Sequence, residues 1–220
     1  MSVSKRAGKN APTSISICVS KNVSGNAQTK VVDARSEVPF KPTKEQLVAA
    51  AHETLPDLIA PDLRVLFCGI NPGLYTTAIG HHFGRPGNRF WPALHGSSFT
   101  PTLVSPWHER ELLKLGLGIT NVVPRTTATA AELSAEEYVA GGTRLRATIK
   151  RYHPKVLAVL GVTAYRSAFG EPKAALGLQS STILDTSLWV IPNPSGLNAN
   201  YQLPDLIRLY GELREWVDSN

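Results

Sequence analysis

The sequence predicts an α/β protein: a three-layer α/β/α arrangement around a central, mainly parallel, four-stranded sheet. Three observations predict it. Four apolar runs, at residues 64–70, 117–123, 156–160 and 188–191, have the length and unbroken hydrophobicity of strands buried on both faces. Helical patterns alternate with them, as a parallel sheet requires. Two of the runs end in asparagine-proline turns, Gly69-Ile70-Asn71-Pro72-Gly73 and Asn193-Pro194-Ser195-Gly196-Leu197-Asn198. Such turns stand beyond the carboxyl ends of strands, where open α/β sheets bind their ligands.

Residues 1–42 are expected as a disordered tail, rich in Ser, Thr, Asn and Lys and without hydrophobic periodicity. The 220-residue chain carries a net charge of +6, but eight Lys/Arg against only Asp33 and Glu37 fall within its first 44 residues. Fifteen residues of each sign remain for the rest. The basic character thus belongs to the arm, and 43–220 reads as one neutral domain long enough to bury a full core. The arm is either a solvated tail or an electrostatic tether to a polyanion. Any phosphate-binding surface on the body must come from the local arrangement of its charges. The first 32 residues lack Asp and Glu, as organelle leaders do, but a single arginine and the lack of an apolar h-region favour a plain tail.

No apolar stretch approaches the roughly 18 residues that cross a bilayer, so no membrane partner is expected. Cys18 and Cys68 are too few for a four-thiolate cluster, and nothing has the spacing of a zinc site. No metal and no cofactor are expected. Cys68 reads as a small buried apolar residue, and this cysteine usage fits a reducing compartment.

The remaining elements follow in order. Thr43 caps a short helix with Leu47, Ala50 and Ala51 inward, ending before Pro56. Residues 88–95 read as a helix around Phe90, Trp91 and Leu94, and 105–115 as another with Pro106 at its first position. Ser134 and Glu137 have capping-box spacing for a helix with Tyr138, Leu145, Ile149 and Tyr152 inward and Pro154 as its stop. A helix at 162–169 returns over the sheet, and a short strand near 182–184 precedes the fourth run. Pro204 opens a final helix with Leu206, Ile207, Tyr210, Leu213 and Trp216 on one face.

Singly, Asn-Pro and Pro-Gly are ordinary turn dipeptides. Two of them after two core strands are harder to dismiss, and Gly73 and Gly196 let backbone approach a ligand closely. Neither is a Walker loop or a dinucleotide fingerprint. Between them, Gly80-His81-His82-Phe83-Gly84-Arg85-Pro86-Gly87-Asn88-Arg89-Phe90-Trp91 is a Gly- and Pro-punctuated loop suited to holding a flat heterocycle. Phe83 either stacks on such a ring or plugs the core. Phe90 and Trp91 read as packing residues. His81 and His82, adjacent and without a third spaced ligand, do not make a metal site.

The order of these blocks, with Gly118-Ile119-Thr120-Asn121-Val122-Val123-Pro124-Arg125-Thr126-Thr127 and Gly141-Gly142 between them, resembles the mismatch-specific uracil/thymine-DNA glycosylases of the uracil-DNA glycosylase superfamily. The resemblance covers residues 64–217, and its weight lies in six blocks standing in register. It implies a uracil-DNA glycosylase-like fold and a monofunctional enzyme of base excision repair. Such an enzyme flips a mispaired base from duplex DNA and hydrolyses its N-glycosidic bond.

By similarity Asn71 positions the attacking water. Phe83 stacks on the extruded base; Ile70, Gly73 and His82 line its pocket, and Asn88 supports the loop. In the turn of Asn193, Pro194 and Ser195, Leu197 enters the duplex as a wedge while Gly196 and Asn198 face the orphan guanine. The implied partner is double-stranded DNA with a G·U or G·T mismatch, met by a monomer in a bacterial cytoplasm or a eukaryotic nucleus.

The chain departs from the pattern in two places. The aromatic after the paired histidines is Phe83, with no hydroxyl, and Asn198-Ala199-Asn200 lacks the basic residue that some relatives place beyond the wedge. Thr76 and Thr77 would crowd a thymine methyl, which makes uracil the main substrate and thymine or a cytosine adduct weaker ones. Asn121 and His82 both stand as groups that could assist the water. The alternatives are a catalytically inert nucleic-acid-binding module using the same pocket, and a hydrolase of free nucleosides.

Overall fold

A computed structural model describes residues 38–220. Its centre is a five-stranded sheet in the order β2-β1-β3-β5-β4, built from β1 (Val65–Gly69), β2 (Leu117–Asn121), β3 (Val156–Leu160), β4 (Gly177–Ile183) and β5 (Thr186–Ile191). The four expected strands are present and mutually parallel. The fifth, β4, is antiparallel to β5 and forms an edge. It is a seven-residue strand where only a short one near 182–184 is expected. Its sequence, Gly-Leu-Gln-Ser-Ser-Thr-Ile, is polar because only alternate side chains are sheltered.

Period-two alternation divides the core. Val65 and Phe67 of β1 face one side, packed with Phe90, Trp91, Leu94, Tyr210 and Leu213. Leu66 and Cys68 face the other, with Val122, Leu145, Ile149 and Tyr165. Helices α3 (Phe90–Gly96) and α7 (Leu203–Ser219) cover the first face; α5 (Ala135–Tyr152) and α6 (Val162–Phe169) cover the second. Phe67 centres the first layer, edge-on to Phe90 and Phe99 and stacked on Tyr210. Burial pushes the Cys68 thiol and the Tyr210 phenol well above their ordinary pKa values. Among the described residues no helix is long and apolar enough to cross a membrane.

Local chemistry sets the ends. Thr43 makes a capping box with Gln46 at the start of α1 (Lys44–Ala49), and Ser134 makes one with Glu137 at the start of α5. The helix expected over 105–115 is two pieces instead: a 3-10 turn, Pro106–His108, capped by Ser105, and the short α4, Glu111–Lys114. Glu109 lies at the break, its buried carboxylate accepting from the His82 N–H at 2.7 Å. A further helix, α2 (Leu74–Ile79), follows the first Asn-Pro turn and ends at Gly80 in the left-handed region.

Residues 1–37 of the expected tail lie outside the described residues. Of its last five, Pro42 is buried and the Phe40 ring stands 5.4 Å from that of Trp107. The packed chain therefore begins before Thr43, in an extended segment whose few apolar residues follow no helix or strand period.

Gly141 and Gly142 mark where α5 meets its neighbours. A Cβ on Gly142 would fall 1.9 Å from the Ala168 carbonyl oxygen, and one on Gly141 would fall 2.4 Å from that of Val122. Gly211, on α7, has nothing within 4 Å of such an atom. Gly142→Ala is accordingly expected to cost about 2–3 kcal/mol by overpacking, lowering Tm by about 4–12 °C for a domain of this size. Gly211→Ala should raise stability by about 0.5–1 kcal/mol through helix propensity. Thermal unfolding followed by circular dichroism measures both.

Candidate functional site

At the carboxyl ends of β1, β2 and β5 the two Asn-Pro turns and the loop carrying Phe83 enclose a cavity of about 400 Å³. That volume lies in the range of small-molecule sites. Of the residues singled out in the sequence, Ile70, Asn71, Gly73, His82, Phe83, Asn88, Asn193, Ser195, Leu197 and Asn198 border it. Pro194 and Gly196 do not, and serve the loop's construction. The wall also includes Thr76, Arg85, Asn121 and Thr127, and no Asp or Glu lines it. Among the described residues no group of His, Cys, Asp and Glu could hold a metal ion.

Asn71 is fixed by its nitrogen. Nδ2 donates to Thr127 Oγ1 at 2.6 Å, to the Arg125 carbonyl at 3.0 Å and to the Pro72 carbonyl at 3.2 Å. The two carbonyls can only accept. Thr127 Oγ1 donates its single hydrogen to the Thr129 carbonyl at 2.8 Å, so it too must accept from Asn71. These partners determine which end of the amide is nitrogen. Oδ1 is left with no protein donor among the described residues, and Asn71 is one of the residues that line the cavity.

The loop supplying two of those acceptors is itself tied down. Arg125 makes a two-pronged pair with Glu137 at 2.6 and 3.0 Å, and Glu137 accepts from the Ser134 N–H at 2.9 Å. The Arg125 guanidinium, followed by the Ser134 N–H, holds the Glu137 carboxyl at about 2, below its ordinary value of 4.5. A parallel bridge between Gly73 and Thr127 joins this loop to the first turn. Thr77 and Thr126 share a hydrogen bond of 2.8 Å, and Thr126 donates on to the Glu53 carbonyl.

Opposite Asn71 stands Phe83, stacked on Phe90 with centroids 4.1 Å apart. Its φ of 52° is a left-handed conformation that a bulky residue adopts only when its surroundings impose it. The ring packs on the core through Phe90, and the residue also borders the cavity. Asn121, already singled out as a group that could assist the water, lies at the end of β2 opposite Gly69 in register and borders the cavity. A Cβ on Gly69 would lie 2.5 Å from Asn121 Oδ1 and 3.3 Å from Phe83 Cζ. Only glycine at position 69 lets the amide and the ring sit side by side.

His82 borders the cavity but is committed elsewhere. It is 1% exposed, with Nε2 3.1 Å from the Pro56 carbonyl and its N–H on Glu109. It braces the loop. Asn88 accepts from the Phe90 N–H through Oδ1 and so secures the entry to α3. Ile70 is anchored through its carbonyl, which accepts from Val123 N–H.

The second turn is built by its own side chains. Asn193 Oδ1 accepts from Ser195 N–H, Ser195 Oγ accepts from Leu197 N–H, and Asn198 Nδ2 donates to the Asn193 carbonyl. Leu197 stands out from it, 75% exposed. Arg89, to which the sequence assigned no part, clamps the turn from outside. Its guanidinium donates to the carbonyls of Ser195, Asn198 (2.8 Å) and Tyr201 (2.7 Å) and to Gln202 Oε1, and its N–H donates to Pro194. Gly196 meets the Gly87 carbonyl so closely that a Cβ would lie 2.6 Å away.

A model of the uracil DNA glycosylase superfamily matches residues 56–214 of this chain, a span containing every residue that lines the cavity.

Hydrogen bonds to a charged group each contribute about 1.5–3 kcal/mol, so the second turn should loosen when the clamp is removed. Arg89→Met is expected to speed amide hydrogen exchange at residues 197–200 by about tenfold or more while strand amides keep their protection. Native-state exchange read by mass spectrometry or NMR checks it.

Proposed function

This chain belongs to the uracil DNA glycosylase superfamily, and from that premise we propose that it is a monofunctional glycosylase removing uracil mispaired with guanine from double-stranded DNA. The single observation that carries the reading is the orientation of Asn71. Its nitrogen is held by three acceptors, so the only function left to its oxygen is to accept a hydrogen from something in the cavity. A water so held turns a lone pair away from the amide and toward a bound substrate.

Breaking the bond from C1′ to N1 leaves positive charge on the sugar and negative charge on the pyrimidine. Water oxygen then bonds to C1′ and its proton is released, giving an abasic deoxyribose and free uracil. An amide cannot take that proton as a carboxylate would, and no carboxylate lines the cavity. The chemistry this wall supports is therefore largely dissociative, with the sugar cation formed before the water adds. The enzyme is expected to turn over slowly.

Base recognition rests on neighbours of known placement. Phe83 and Asn121 adjoin across Gly69, so a ring lying on the phenyl would meet an amide able to donate and accept at its edge. Leu197, on a turn locked by its own side chains and by Arg89, serves as the wedge that fills the vacated stack. Extrusion costs a few kcal/mol and less for a mismatched pair, which favours G·U over A·U. Thr76 is nearly buried in the wall, and its branched side chain takes space that a 5-methyl group would need. Thymine and etheno-cytosine opposite guanine are then weaker substrates. The protein acts on DNA as a monomer.

Asn71→Ala should lower single-turnover release of uracil from a labelled G·U duplex by about 100-fold or more, read as strand cleavage after hot alkali. Affinity for the duplex should stay within a few fold. Loss of binding in step with activity would make Asn71 structural, whereas failure of the wild-type protein to release uracil at all would make the inert binding module the better reading. Thr76→Ala should raise the rate on G·T relative to G·U by roughly tenfold, the scale of one methyl group's fit in a pocket. Parallel assays on the two duplexes decide it.

A further inference from the structure

We propose that Arg85 is a phosphate-binding residue that grips the DNA backbone beside the extruded nucleotide, an assignment that rests on the glycosylase reading above. Beyond its first 44 residues the chain is formally neutral, so a contact with DNA phosphates must come from individual cations near the cavity. Most arginines there are occupied. Arg89 spends its guanidinium on four oxygens of the second turn. Arg125 is paired with Glu137, and Arg144 is divided between Asp57 and the Asn121 carbonyl. Residues 197–202, Leu-Asn-Ala-Asn-Tyr-Gln, contain no cation at all.

Arg85 differs from these. It borders the same cavity, it is exposed, and among the described residues its side chain has no ion pair or hydrogen bond. Its place is nonetheless fixed. The Asn88 N–H donates to the Arg85 carbonyl at 3.0 Å, closing a turn through Pro86 and Gly87, whose φ of 83° suits the third position of such a turn. That turn abuts Gly196, the residue before the wedge. A duplex entered by Leu197 therefore brings its backbone to the rim where the Arg85 head is free. A guanidinium matches phosphate with two parallel N–H bonds, and contacts of this kind fix register on the duplex. The bland alternative, a solvated loop arginine, predicts no effect on the salt dependence of binding.

The test measures full-length protein binding to a duplex with 2′-fluoro-deoxyuridine opposite guanine, by fluorescence anisotropy between 50 and 200 mM salt. Arg85→Gln should flatten the plot of log affinity against log salt by about 0.9, one released counterion. Over that fourfold range of salt the difference is about 3.5-fold in affinity. Arg85→Lys should keep the wild-type slope, and Lys150→Gln, on α5 at the opposite end of the sheet, should keep it too. An unchanged slope in Arg85→Gln overturns the assignment. So does equal flattening in Arg85→Lys, which would trace the effect to loop packing, or in Lys150→Gln, which would make it non-specific. A wild-type protein whose binding ignores salt overturns the DNA reading along with it.

Discussion

The proposed chemistry depends on which end of one amide is held by protein acceptors and which is left over. A planar carboxamide rotates easily between two states of similar shape, and only its partners distinguish them. Asn71 is surrounded at one end by oxygens that cannot donate or have already donated. Reversal would set an amide oxygen against three others and forfeit the bonds from Nδ2, although the Pro72 carbonyl would keep the Thr127 N–H and the Thr127 hydroxyl its own acceptor; a buried polar group left unpaired costs about 1–3 kcal/mol. The selectivity comes from neighbours whose own hydrogens are spent, and no charge on Asn71 is required.

Two of the acceptors belong to a loop with little regular structure, so the rest of the fold must hold it still. The Arg125–Glu137 pair is exposed, and exposed pairs contribute little to stability. Its use here is geometric. Glu137 is at once the capping residue of α5 and the partner of Arg125, and the Arg125 carbonyl is one of the three acceptors. A helix start is among the better defined points in a fold, and three covalent or hydrogen-bonded steps connect it to Asn71. The second turn uses the same device with opposite polarity, since Arg89 supplies donors to a set of carbonyls that no strand or helix satisfies.

The parts of this arrangement legible in the sequence were those set by local chemistry. Continuous apolar runs gave the four parallel strands because both faces of each are buried, and Ser134 with Glu137 announced α5 by spacing alone. The cavity could be foreseen from two Asn-Pro turns because carboxyl ends of parallel strands share one side of a sheet. What stayed hidden depends on contacts between distant segments. Strand β4 is amphipathic and polar, and only its pairing with β5 makes it a strand. The Glu109 carboxylate is bound by the N–H of His82, 27 residues away. Arg89 lies inside a motif that was visible, but its four partners sit more than a hundred residues on. His82 was expected to line the pocket and does so, but its bonds to the Pro56 carbonyl and Glu109, both more than 25 residues away in sequence, could not be foreseen.

The two glycines that matter most at the site explain why its parts cannot be separated. Gly69 makes room for Asn121 and Phe83 together, and Gly196 makes room for the turn that carries Arg85 and Asn88. Each is a point where two backbones or a backbone and a ring approach within the reach of one methyl group. A pocket assembled from freely moving loops would hold no single shape. Here the second turn, the Phe83 loop and the strand ends press on one another through positions that admit no side chain. The second turn is thereby coupled to the Gly87 turn and to the clamp of Arg89, so in the proposed complex a load on Leu197 would meet packed backbone and fixed hydrogen bonds before it reached Asn71.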